Sequence, residues 1–260
     1  MHPREIWHLP HRRIGRQVMV YTTVDSTNRV AAEHLLTQIP PGAGWAILAE
    51  EQTAGRGQHG RRWLTPAGSA LLLSVLLQPP GALRRPSLLT AWAAVAVAEA
   101  ISELTGWDAR IKWPNDLVLD NRKVCGILVE CHGSAVIVGI GLNLSQQAAD
   151  WQALGLPQAV SLLQLTGTAP TIRQAAERVL FQLDALYQPL LDGHIQGLEQ
   201  EWRRRLGLVH QWVRAELVDG TQVVGRLVDL CLDAIKIATP ARCWIGLPEQ
   251  LAHLELANQS

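Results

Sequence analysis

Apolar positions along the chain fall into two periods. Continuous or alternating apolar runs of strand length occupy residues 18–23, 45–50 and 71–77, and Pro79-Pro80 close the last of them. Residues 29–37 repeat at helical spacing behind Asp25, Ser26, Thr27 and Asn28, the residue types that cap helix N-termini. Residues 87–104 predict an alanine-rich helix, preceded by Pro86 and closed by Gly106, and apolar on nearly every face, hence buried. Strands are expected at 109–112, 117–119, 123–131 and 135–144. Asp120-Asn121 and His132-Gly133-Ser134 supply turns between them, so these strands should be antiparallel neighbours. Helical spacing returns at 172–191 and 196–206. Beyond residue 208 short strands resume at 213–218, 222–229, 234–238 and from Trp244, with a turn at Asp219-Gly220. The pattern predicts an α+β fold: a mixed, largely antiparallel sheet flanked by helices over residues 1–208, then a small β-barrel over residues 209–260.

Composition narrows the function classes. A chain of 260 residues that is 48% hydrophobic can bury a large core. Lys plus Arg and Asp plus Glu both number 23, so any basic site is local, and a broad nucleic-acid surface is disfavoured. No apolar run is read as a membrane span and the N-terminus lacks a signal peptide's apolar core, which predicts a cytoplasmic protein with no membrane partner. Cys125, Cys131, Cys231 and Cys243 form no C-x-x-C pair and are expected to be buried free thiols. The nine histidines, His11 among them, show no H-x-x-x-H or H-E-x-x-H spacing, so metal-hydrolase chemistry is disfavoured.

The densest chemistry lies in Gly55-Arg56-Gly57-Gln58-His59-Gly60-Arg61-Arg62-Trp63. Glycines admit phosphate oxygens close to backbone N–H groups, arginines supply permanently charged forked donors, and an indole can cover a base. Gly55, Gly57 and Gly60 match G-x-G-x-x-G, but a dinucleotide site needs a helix opening in the motif and an acidic residue about 20 positions on. Here Thr65-Pro66-Ala67-Gly68 signals a turn, a strand follows, and residue 80 is Pro.

This loop follows Glu51-Gln52-Thr53-Ala54, and three further segments accompany it: Asp25-Ser26-Thr27-Asn28, Lys112-Trp113-Pro114-Asn115-Asp116, and Lys123 to Glu130. With the glycine-rich segment Val138 to Leu144, they resemble in order and spacing the biotin protein ligases, also called biotin–[acetyl-CoA-carboxylase] ligases. The resemblance covers about Val20 to Asn143 by motif, and the C-terminal barrel by position. It implies a class II synthetase-like catalytic domain with an SH3-like barrel. The implied reaction joins biotin and ATP into biotinyl-5′-adenylate and then acylates a lysine of a biotin carboxyl carrier domain. Biotin and ATP act as substrates and Mg²⁺ as activator, with no tightly bound prosthetic group.

Carried over residue by residue, the resemblance assigns Ser26, Thr27, Asn28, Gln52, Arg56, Gly57, Gln58, Lys123 and Gly126 to biotin. It assigns Arg56, Arg61, Trp63, Lys112, Asn115 and Asn143 to ATP. Lys123, Arg56, Lys112 and Asp116 are the catalytic candidates, with Asn115 and Asp116 as holders of Mg²⁺. Gly126 is expected to leave room for biotin, and Asp116 to help the carrier lysine lose its proton. Taken alone, Ser26-Thr27-Asn28 is a helix cap, Lys123 a solvated turn lysine, and Asn115-Asp116 a turn after Pro114.

Gln58 departs from the family, many members of which carry arginine there. Leu230-Cys231-Leu232-Asp233 departs from a more polar turn. Some members also bind DNA through an added N-terminal module; with about two dozen residues before Asp25, the sequence predicts no DNA binding. Homodimerisation through sheet edges, which occurs in the family, is allowed but not required. A lipoate or octanoate protein ligase is the nearest alternative, and a noncatalytic nucleic-acid-binding protein is the alternative of another class.

Overall fold

The computed structural model describes residues 2–10, 13–37 and 44–257; His11 lies outside them. The larger sheet contains β1 (Glu5–His8), β2 (Gln17–Val24), β3 (Ala46–Gln52), β4 (Ala70–Leu77), β5 (Arg110–Lys112), β6 (Asp116–Leu119), β7 (Arg122–His132) and β8 (Ala135–Asn143). Their order is β1-β2-β3-β4-β8-β7-β6-β5. Among the strands of the described residues only β2 and β3 pair in parallel, as the intervening α1 (Thr27–Thr37) requires of a crossover connection. β5 to β8 are antiparallel neighbours, as their turns predict.

Alternation along the strands sorts side chains onto two faces. Val18, Val20, Ala46, Leu48, Leu71, Leu73 and Val75 join the core built on α2 (Pro86–Thr105) and α5 (Ile172–Leu191). Met19, Tyr21, Ile47, Ala49 and Leu76 pack instead with Val30 and Ala31 of α1. β4 is buried along its whole length, which explains its unbroken apolar run. By length and composition α2 could cross a membrane, with a window of mean hydropathy 1.4, contrary to the sequence expectation. That window is 72% buried against protein, so its apolarity serves the core.

Between β8 and α5 the chain forms two short helices that the periodicity did not reveal, α3 (Ala148–Leu154) and α4 (Leu162–Thr166). β1 was also missed. Each is too short to display a period, and the outward residues of β1 are exposed. The helix α6 (Gln196–Leu206) packs on α2 through Arg205, which is almost fully buried and meets Glu99, Asp108 and Glu201.

The C-terminal sheet comprises β9 (Trp212–Leu217), β10 (Gln222–Leu230), β11 (Ile235–Ala238), β12 (Cys243–Gly246) and β13 (Leu251–Leu256), ordered β12-β11-β10-β9-β13 and antiparallel throughout. Polar bonds fasten it to the helices and to the β5–β6 connection. Arg85, at the start of α2, reaches the Leu232 carbonyl at 2.5 Å and the Glu249 carboxylate at 3.1 Å, and also pairs with Asp233. Trp113 Nε1 donates to the Leu251 carbonyl at 3.3 Å. The Leu230-to-Asp233 turn that departs from the family is therefore part of this contact.

All four cysteines are free, but only Cys125 is buried. Cys131 shares its strand face with the buried Cys125 and Ile127 but lies at the end of β7, where the core no longer covers it, and Cys243 lies on the outward face of β12, opposite the partly buried Trp244. Burial pushes the Cys125 thiol up, making it inert.

Candidate active site

A cavity of about 650 Å³ opens on the α1 side of the sheet, between the glycine–arginine segment, β7, β8 and the C-terminal sheet. Its inner end is built at the start of α1. Ser26, Thr27 and Asn28 are buried there, and Gln52 Oε1 accepts from the Thr27 backbone N–H at 2.7 Å and from Thr27 Oγ1 at 3.0 Å. The helix thus starts two residues earlier than its periodicity suggests, with Gln52 of β3 satisfying an N–H that the helix cannot.

Ser74 completes this corner and was not anticipated. Its Oγ donates to Asn28 Oδ1 at 2.5 Å and lies 2.7 Å from Thr27 Oγ1. One signal was readable: a lone hydroxyl inside the apolar run of β4 has to find a buried partner. Asn28 Nδ2 in turn donates to Glu130 Oε2 at 2.7 Å. Asn28 is therefore held at both ends of its amide by protein.

The glycine–arginine segment is a hairpin. Arg56 bridges Arg62, Gly57 N–H donates to the Arg61 carbonyl at 2.7 Å, and Trp63 N–H donates to the Gly55 carbonyl at 3.0 Å. A 3₁₀ turn at Gln58–Gly60 closes it, with His59 (φ 55°) and Gly60 (φ 74°) left-handed. No helix begins here, so the dinucleotide alternative lacks its structural context. Arg56, Gly57, Gln58, Arg61 and Trp63 all line the cavity.

The Trp63 indole lies across β7 and β8. A Cβ on Gly141 would sit 2.5 Å from the ring and one on Gly126 2.9 Å from it, and these glycines are register partners. The space expected above Gly126 is therefore occupied by Trp63, with Lys123 alongside; the glycines seat the indole. Gly139 plays the same part for Asn28. Gly139 and Gly141 went unassigned, yet two glycines at i and i+2 inside a strand mark a close approach on one face. Trp63 Nε1 is buried with no hydrogen-bond partner among the described residues, a donor that a bound oxygen atom would satisfy.

Lys112, Lys123 and Asp116 form the outer end, and Glu216 and Glu255 of the C-terminal sheet also line the cavity. Lys123 Nζ pairs with Asp116 Oδ1 at 2.6 Å and lies 5.6 Å from the Trp63 ring centroid. Far from being a turn residue, Lys123 belongs to β7, and its backbone is bonded to Gln158 and Val160. Asp116 opens β6 and pairs in register with Lys112 and Gly126, so the Lys112-to-Asp116 and Lys123-to-Gly126 motifs meet because their strands are adjacent. Asn115 Nδ2 donates to the Ile127 carbonyl at 2.6 Å, which leaves Oδ1 as its remaining donor atom to a cation. Among the described residues no group of three or more His, Cys, Asp or Glu forms a metal cage. Asn115 Oδ1 and Asp116 Oδ2 are the oxygen atoms here that would be left to hold a Mg²⁺ ion, a hard cation that prefers oxygen donors. Asn143 does not line the cavity: it is buried, and its Nδ2 donates to the carbonyls of Val160 at 3.0 Å and Lys123 at 3.3 Å.

The model of the Biotin/lipoate A/B protein ligase family matches residues 20–146, the stretch that carries the cationic hairpin, the paired glycines and most of the mixed sheet. The biotin–[acetyl-CoA-carboxylase] ligase of Mycobacterium tuberculosis is 34% identical over 233 residues, which cover 84% of each chain. The bifunctional ligase/repressor BirA of Bacillus subtilis is 30% identical over 213 residues, which make up 80% of this chain and 65% of that longer one. Among solved structures, the biotin protein ligase from Aquifex aeolicus in complex with biotin and ATP superposes with a TM-score of 0.79 at 25% identity, covering 92% of this chain and 99% of that one. The chain belongs to the biotin protein ligase family.

Proposed function

We propose that the protein condenses biotin with ATP to biotinyl-5′-adenylate and then transfers the biotinyl group to a lysine of the biotin carboxyl carrier domain of acetyl-CoA carboxylase. The observation that carries this reading is the division of one cavity into a neutral hydrogen-bonding end at Ser26, Thr27 and Gln52 and a cationic end at Arg56, Lys112 and Lys123. The neutral end suits the ureido ring, and the cationic end suits a carboxylate meeting a triphosphate.

A carboxylate is ionised at neutral pH, so the first step needs no general base. One carboxylate oxygen attacks the α-phosphorus, the bond to the bridging α–β oxygen breaks, and pyrophosphate leaves with the electron pair. Arg56 and Lys123 offset the charge that builds on the α-phosphate, and Arg61 and Lys112 receive the departing pyrophosphate. Asn115 and Asp116 would hold a Mg²⁺ ion, which would supply further charge neutralisation there. In the second step the lysine nitrogen attacks the acyl carbon, AMP leaves, and the amine proton passes to Asp116 or to water. The unpartnered Trp63 N–H and the indole face support ligand contact at the same place. Free thiols at Cys131 and Cys243 suit a reducing, cytoplasmic setting.

The deciding experiment is biotin-dependent exchange of labelled pyrophosphate into ATP, followed by transfer to a carrier domain. Exchange supported by lipoate and not by biotin would overturn the reading in favour of a lipoate ligase. Salt-sensitive RNA binding without any exchange would favour the noncatalytic alternative.

Gln58 sits at the tip of the hairpin, where its carbonyl accepts from Arg61 N–H at 3.1 Å and its residue lines the cavity. An arginine there adds a charge-assisted contact, typically worth about 1.5 to 3 kcal/mol. Gln58→Arg is therefore expected to slow adenylate dissociation by at least about tenfold, measured by rapid-mixing release. An unchanged off-rate would show that this position does not retain the intermediate.

A further inference from the structure

We propose that Glu130 is a positioning residue that latches the arginine hairpin to the biotin end of the cavity. The proposal rests on the ligase reading above for its kinetic consequence, and on geometry for the latch itself. Glu130 Oε2 accepts from Asn28 Nδ2 at 2.7 Å and from Arg56 Nη2 at 2.8 Å. One oxygen atom thus joins the buried amide at the start of α1 to the first arginine of the hairpin. Through Ser74 and Thr27 the connection continues to Gln52, giving an unbroken chain of polar contacts from Gln52 to Arg56.

Glu130 does not line the main cavity. It lines an adjoining cleft of about 620 Å³ along the hairpin, together with Arg56, Arg61, Arg62 and Leu128. Arg56 lines both. Glu130 therefore holds the guanidinium through one of its five N–H donors, leaving the others for a substrate carboxylate and phosphate. An exposed ion pair alone contributes little. This carboxylate is only 24% exposed in its side chain, and its second partner, Asn28, is buried and cannot turn away without losing Ser74. Movement of Asn28 on ring binding is thereby felt at Arg56, and hairpin closure is felt at the ring site, as linkage requires.

Two measurements decide the matter, using Glu130→Gln and Glu130→Ala in the full chain. Hydrogen exchange at the Gly57 and Arg61 amides, which need no ligase activity, should accelerate at least about tenfold in Glu130→Ala when one charged tether is lost. In pyrophosphate exchange, KM for biotin should rise about tenfold while kcat changes much less, with Glu130→Gln intermediate because its amide oxygen still accepts from Asn28. Arg56→Ala combined with Glu130→Ala should cost less than the sum of the two single losses, because the Arg56–Glu130 contact is absent from either variant. Unchanged hairpin exchange, or a looser hairpin with unaltered KM, would overturn the latch. Absence of biotin-dependent exchange in the wild-type chain would sink the ligase reading instead, and the amide measurement would still decide the latch.

Discussion

Lys123→Gln is expected to lower kcat for biotin-dependent pyrophosphate exchange by about 100- to 1,000-fold, the usual cost of removing one preorganised donor to transition-state charge. The ammonium group lies 2.6 Å from Asp116 Oδ1 and 5.6 Å from the centre of the Trp63 ring, so it is fixed between a carboxylate and an aromatic face. Its strand is fixed as well: Lys123 N–H donates to Gln158 and its carbonyl accepts from Val160 and Asn143. Nothing has to reorganise as charge develops nearby. Glutamine keeps much of the length and hydrogen-bonding capacity but no charge, and it also leaves Asp116 without its cation beside the incoming phosphates. Part of the loss is then repulsion from Asp116. Lys123→Gln with Asp116→Asn should recover a fraction of kcat, whereas a purely structural defect would deepen in the double variant. Steady-state exchange with a melting curve for each variant separates these outcomes, and a kcat within threefold of wild type would remove Lys123 from the reaction.

Elements with a long period were legible, and geometry between elements was not. α5 and α6 begin and end where their spacing places them, because each is long and one-sided. α1 began earlier than its apolar repeat, since the bond that admits Thr27 to the helix comes from Gln52, 25 residues away. The polar motifs gave the members of the site through a resemblance, and the pairing of β5, β6 and β7 gave their proximity. The sequence could not show that Asn143 turns inward to hold the Lys123 carbonyl, nor that Trp63 fills the space over Gly126. Glu130 was visible only as the end of a motif. Its partners, Asn28 and Arg56, lie 102 and 74 residues away, and only folding brings them to one oxygen.

Gly139→Ala is expected to impair biotin binding by at least about tenfold while costing about 1 to 3 kcal/mol of stability, the usual penalty for overpacking. A Cβ at this position would stand 2.3 Å from Asn28 Oδ1, 3.0 Å from its Cγ and 3.1 Å from its Nδ2. Most side chains would swing aside. Asn28 is 3% exposed and bonded to Ser74 at one end of its amide and Glu130 at the other, so any move that relieves the clash breaks at least one of these bonds. Ser74 is itself the cross-strand partner of Gly139, which leaves no room along the sheet. Gly126→Ala faces a softer obstacle, the ring edge of Trp63 at 2.9 Å and the flexible Lys123 chain at 3.2 Å, and should bind biotin better than Gly139→Ala does. The clash can be isolated by removing its other half. If it acts through Asn28, adding Gly139→Ala to an Asn28→Ala background should cost almost nothing further in melting temperature or biotin affinity, because the new methyl group then occupies the volume the amide has vacated. Additive losses in that pair would mean that Gly139 serves the strand itself, and that the approach of Asn28 to its backbone is incidental.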